Sequence, residues 1–185
     1  MKLNLKQVLH LNGISKSNFD SRRRRDVYGF MYEAQGGDDA IATYDNARNR
    51  FGLEHAAGIA CIEYGTSKLG LTIEMADSIV SNNFGDLTEA ISSGAIDPEH
   101  DEIEHDEMSP AGSPINHFFI GAIFNVVGRG HYAGTFDWFQ DRLLSELLHA
   151  EHNGHPDHAP AGIVMIDATT VYRNIKLKML SGLGI

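Results

Sequence analysis

Cysteine is almost missing from this chain. Its 185 residues include one, Cys61, inside an apolar helical pattern. That excludes a disulfide framework and leads us to expect a reducing, cytoplasmic compartment. Long apolar runs are missing as well. None approaches the roughly 20 residues needed to span a bilayer, so no membrane partner is expected. Met1 to Asn12 is too polar for a secretory leader and lacks a small-residue cleavage site. The sequence also lacks HExxH, a GxSxG elbow, GxGxxG spacing and a Gly-Lys-Ser/Thr phosphate loop. No catalytic residue is assigned, and a non-enzyme is expected.

Basic charge is scarce: 15 Lys and Arg stand against 25 Asp and Glu, for a formal net charge of -10. Hydrophobic residues make up 42% and charged residues 22%, the balance of an ordinary folded protein. A chain of this length has room for one larger domain or two small ones.

The scarce bases are concentrated. Seven of them (Lys2, Lys6, Lys16 and Arg22 to Arg25) lie between Met1 and Arg25, with Asp20 the one acid there. A basic lobe on an acidic body points to a polyanion partner, with nucleic acid the first candidate.

Spacing within that segment is regular. Leu5, Val8 and Leu9 recur at i, i+3 and i+4 and predict one apolar helix face. Gly13 supplies a sharp turn, Ile14 packs the corner and Ser15 stands where an N-cap belongs. Phe19 should then point back into the core. Lys16, Ser17, Asn18, Ser21 and Arg22 are left for an outer face, and these residue types contact base edges and phosphates. Arg23, Arg24 and Arg25 would mostly neutralise phosphates. A plainer reading takes the arginine run as a solvated helix end meeting the C-terminal dipole.

Leu9, Gly13-Ile14-Ser15 and Phe19 resemble the helix-turn-helix of the excisionase and MerR-like winged family. Phe51 to Tyr64 and Leu69 to Val80 resemble the helix pair that follows the wing there, joined by a Leu-Gly-Leu-Thr corner. The resemblance covers roughly residues 1–82. It implies double-stranded DNA as partner, with the helix Ser15 to Arg25 in the major groove. It also implies a wing between Asp26 and Arg50. We expect a hairpin there, Val27 to Tyr32 pairing with Ala40 to Tyr44, and Arg48 and Arg50 reaching phosphate or minor groove. That segment is longer than the family usually needs, and no heptad helix follows Val80.

Gly94 to Pro114 holds seven acids, two histidines and three prolines and reads as an acidic linker. His100 and His105 lie among its acids, as a solvated run or a metal- or pH-sensitive cluster. Folded back on the basic segment, the linker would act as an electrostatic brake on DNA binding. Beyond it, Ile115 to Val127 predicts a buried strand and Gly128 to Gly134 a turn. A helix capped by Thr135 should run through Leu148, followed by a strand at Ala161 to Ile166 and a helix from Val171 to Leu180 capped near Asp167. His117 and Asp137 have simple structural explanations. Strand, helix, strand, helix suggests a small α/β module with a parallel or mixed sheet.

His149, His152, His155 and His158 form a His-rich loop with Glu151 and Asp157 nearby. Imidazole and carboxylate suit zinc or nickel, although a solvated polar loop is the plainer reading.

The expected fold is therefore α+β: a winged helix-turn-helix domain with accessory helices over 1–93, an acidic linker over 94–114, and a small α/β dimerisation or effector module over 115–185. The expected function is a DNA-binding transcriptional regulator acting as a homodimer. The rivals are a phage or mobile-element protein that binds another protein, and a metal-dependent hydrolase or metal sensor using the His loop.

Overall fold

Asn4 opens the first helix with a reciprocal cap: its side chain accepts from the Gln7 N–H, and the Gln7 side chain accepts from the Asn4 N–H, both at 2.9 Å. A computed structural model describes residues 2–33, 51–96, 117–125, 128–152 and 160–182. Helix α1 (Leu5–Asn12) buries Leu5, Val8, Leu9 and Leu11. Gly13 ends it at φ 66°, donating to the His10 carbonyl while Ile14 donates to Leu9. This is a Schellman closure, which needs a left-handed residue and so favours glycine. Ser15 caps α2 (Lys16–Arg23), accepting from the Asn18 N–H at 3.2 Å.

The end of α2 repeats the closure with Asp26 in glycine's place. Asp26 lies at φ 58°, its N–H bonds Arg23, and Val27 bonds Arg22. Tyr28, also left-handed at φ 72°, donates its N–H to the Asp77 carboxylate. Two left-handed residues so close together cannot form a strand. The hairpin strand expected over Val27 to Tyr32 is replaced by this turn and a short helix, α3 (Phe30–Glu33). Its expected partner, Ala40 to Tyr44, lies outside the described residues.

Helix α4 (Leu53–Lys68) is the central post. Small residues let neighbours approach from several sides: Ala56, Ala57, Gly58, Cys61 and Gly65 are all buried along it. Leu3 and Phe51 exchange backbone hydrogen bonds of 2.6 and 2.7 Å, tying the entries of α1 and α4 together. The Leu69 to Thr72 corner turns at Gly70 (φ 69°), and Thr72 caps α5 (Ile73–Asn82), which packs on α4. Helix α6 (Phe84–Ser93) follows, closed by Gly94. Ile96, at the start of the expected linker, is buried and donates to the Ala90 carbonyl. Positions 97–114 of that linker lie outside the described residues.

The second half is strand, strand, helix, strand, helix. β1 (Phe118–Phe124) pairs antiparallel with β2 (Arg129–Thr135) on one side and with β3 (Gly162–Asp167) on the other. The sheet is thus antiparallel rather than parallel or mixed. The residues expected to form a turn, Gly128 to Gly134, mostly form β2. Glycine-rich strands escape propensity rules because their pairing is fixed by neighbours, here by the apolar β1. The apolar β1 is central and buried on both faces, which explains its unbroken hydrophobic sequence. Helix α7 (Phe136–His152) covers one face, and α8 (Ala168–Gly182) returns on the other. Asp167 caps α8, accepting from the Thr170 N–H and hydroxyl.

One apolar core runs from Leu3 through α1, α4 and α5 to Ile120, Ile166 and Ile175. Helix α8 joins the parts: it packs on α4 and α1 as well as on β1. Asn83 adds a buried polar stitch, its amide donating to the Gly121 carbonyl at 3.2 Å.

Candidate nucleic-acid interface

Helix α2 is amphipathic in a specific way. Phe19 is fully buried and stacks on Tyr28 with ring centroids 5.3 Å apart. Burying such a ring contributes roughly 1.5–3 kcal/mol, enough to orient an eight-residue helix that could not stand alone. With that face fixed, Lys16, Ser17, Asn18 and Ser21 are exposed on the other. Arg24 and Arg25 continue the exposed surface past the helix end.

Arg22 departs from the expected outer face. Its guanidinium turns inward to Glu63 of α4 and donates to the Tyr28 hydroxyl at 2.6 Å. The Tyr28 hydroxyl in turn donates to the same Glu63 oxygen at 2.9 Å. Partial burial works against the Arg22 charge, but the bonds to Tyr28 and Glu63 outweigh it and hold the guanidinium above its ordinary range. Burial pushes the Tyr28 phenol well up, opposed by the Arg22 hydrogen bond and reinforced by the Glu63 charge. Both groups therefore keep their protons at any physiological pH. Arg22 fastens α2 to α4 and is not available to read bases.

Arg25 pairs with Glu74 at 3.3 Å, but both side chains are more than half exposed (56% and 59%). Such a pair is worth at most about 1 kcal/mol and yields readily to a phosphate. Arg23 is half-buried. Arg48 and Arg50 lie outside the described residues.

One neighbour was not evident from the sequence. Lys178 of α8 donates to the Leu11 carbonyl at 3.2 Å, where the C-terminal dipole of α1 favours a cation. Only the tertiary fold brings it there. Lys6, His10 and Lys16 flank a shallow apolar groove floored by Leu5, Leu9 and Ile14, beside the start of α2. The helical spacing of Lys6 and His10 was the available signal.

The other candidates are dispersed. His149 and His152 belong to α7 rather than to a loop, because the helix runs on one turn past its last leucine, Leu148, and His149 is exposed. His155 and His158 lie outside the described residues. Among the described residues, no group of three or more His, Cys, Asp or Glu is placed to hold a metal ion. Cys61 is buried, and burial, followed by the charge of Asp167, pushes its thiol far up, so it is no nucleophile. His117 meets Asp167 at 2.8 Å, which ties the start of β1 to the cap of α8. No helix among the described residues is long and apolar enough to cross a membrane. Comparison with known protein families, curated proteins and solved structures gave no match to the chain.

Proposed function

We propose that this chain binds double-stranded DNA through α2, as a homodimeric transcriptional regulator of helix-turn-helix type. The observation that carries the reading is the division of α2 into two faces. Phe19 and Arg22 are given over to holding the helix, and Lys16, Ser17, Asn18 and Ser21 are left exposed together. The sharp turn at Gly13 and the capped start of α2 suit a helix presented end-on to a groove. Lys16, Asn18 and Ser21 would contact base edges and adjacent phosphates. Arg24, Arg25, Lys6 and Lys178 would contact the backbone on either flank.

An α2 of eight residues spans few base pairs, so useful specificity needs a second copy on a two-fold site. The wing of the MerR-like resemblance is not part of this proposal, since Val27 to Tyr32 is a turn and helix.

Fluorescence anisotropy with random duplex DNA across a salt series tests the reading. Affinity should fall steeply with salt, and Arg24→Ala with Arg25→Ala should reduce the slope by about 0.9 for each phosphate that is no longer neutralised. No binding at low salt would remove the regulator reading and point to a protein partner.

A further inference from the structure

The groove beside α1 and the start of α2 has a floor that DNA would not use. Leu5, Leu9 and Ile14 form it, and the groove encloses about 790 Å³, a volume usual for small-molecule sites. Leu5 and Leu9 are nearly buried, so the core fixes the floor before any ligand arrives. Phosphate oxygens would meet the rim and gain nothing from aliphatic side chains. That rim is basic: Lys6, His10 and Lys16 line the groove, and among the described residues no carboxylate does. Asp20, the one acid in this segment, stands a turn beyond Lys16 on α2 and is not part of the lining. On a chain of net charge -10, such a rim runs against the general charge.

Main-chain groups along the groove are already taken. The carbonyls of Asn4, Leu9 and His10 accept from Val8, Ile14 and Gly13, and the Asn4 side chain accepts from Gln7. An extended peptide laid there would lose the hydration of its main chain without new partners. A hydrocarbon chain has no such loss, and a single anionic head would meet the lysines. We propose that this groove binds a free medium- or long-chain carboxylate. Its tail lies on Leu5, Leu9 and Ile14, and its head meets Lys6, His10 and Lys16. Lys6 and Lys16 are also the lysines offered to DNA, so the bound carboxylate competes with phosphate there. That regulatory consequence rests on the DNA-binding reading; the site itself does not.

Isothermal titration calorimetry of the full chain with decanoate, without DNA, tests the site. One saturable site per chain is expected, with acetate and decanol both binding more weakly. Lys6→Gln/Lys16→Gln, at two exposed positions, should weaken decanoate binding about two- to thirtyfold. The methyl resonances of Leu5, Leu9 and Ile14 should shift during the titration. No saturable binding, binding unmoved by the glutamines, or shifts centred on the exposed leucines of α7 overturns the proposal. So does decanol binding as tightly as decanoate, or cosedimentation with anionic phospholipid vesicles in place of decanoate binding. Decanoate should also release duplex DNA from the chain, and a chain that holds both at once overturns the competition. Decanoate binding by a chain that retains no DNA removes the DNA reading alone. DNA binding by a chain that ignores decanoate removes this one alone.

Discussion

Arg22 of α2 and Glu63 of α4 form an ion pair that also takes in the Tyr28 hydroxyl, so one arginine of the basic run is a fastener rather than a contact. Arg22→Ala leaves Glu63 and Tyr28 half-sheltered without their cation. A stability loss of about 1–3 kcal/mol is expected in urea denaturation. Arg24→Ala, on the exposed end of the same segment, should shift stability by less than about 0.5 kcal/mol. Equal stabilities for the two variants would show the inward pair to be idle.

Asp26 occupies a left-handed position, φ 58°, that glycine fills at the end of α1. A side chain there costs roughly 1–2 kcal/mol, partly offset by the greater freedom glycine gives the unfolded chain. Asp26→Gly is expected to stabilise by about 0.5–1 kcal/mol, seen as a raised melting temperature. A lowered one would mean that the Asp26 side chain holds the turn.

Gly58 allows Phe30 to pack against α4, and an added methyl group would come within 2.7 Å of its ring. Alanine gains roughly 1 kcal/mol in helix propensity, but overpacking costs about 1–3 kcal/mol. Phe30 is itself buried and held by Phe84, with ring centroids 4.6 Å apart, so it has little room to yield. Gly58→Ala should therefore melt lower than the parent.

His131 on β2 has its pKa lowered by burial and then by the Arg129 charge. The unfolded chain binds this proton more readily, so His131 adds stability at pH above about 6.5 that is lost as pH falls below it. Between pH 7 and 5, His131→Gln should lose less stability than the parent chain in parallel denaturant titrations. Parallel curves would assign the acid sensitivity elsewhere.

Local features of the fold were legible where one residue type has one physical job. Gly13 as a turn, Ser15 as a cap, Phe19 as an anchor and the apolar β1 as a buried strand all follow from near neighbours in the chain. The Asn4 and Gln7 cap was equally available, in an Asn-x-x-Gln spacing. What stayed hidden depends on distant partners. Arg22 stands three residues after Phe19 and so on the same helix face, whereas Arg24 does not. The partner that turns Arg22 inward, Glu63, is 41 positions away. Tyr28 at positive φ contradicts its residue type, and the Phe19 stack, the Asp77 bond and the Arg22 and Glu63 bonds to its hydroxyl help hold that turn. β2 is weak in propensity, and its pairing with β1 decides it. Missing that strand also misread the sheet direction.

The bond from Lys178 to the Leu11 carbonyl joins residues 167 positions apart in the chain. Helix α1 thus packs on α4, closer to it in the chain, and on α8, far from it. At a synthesis rate of about 5–20 residues per second, the basic segment waits roughly ten to thirty seconds for α8 to emerge. Through that interval α1, beside the chain's densest positive charge, has α4 to pack against and lacks only α8.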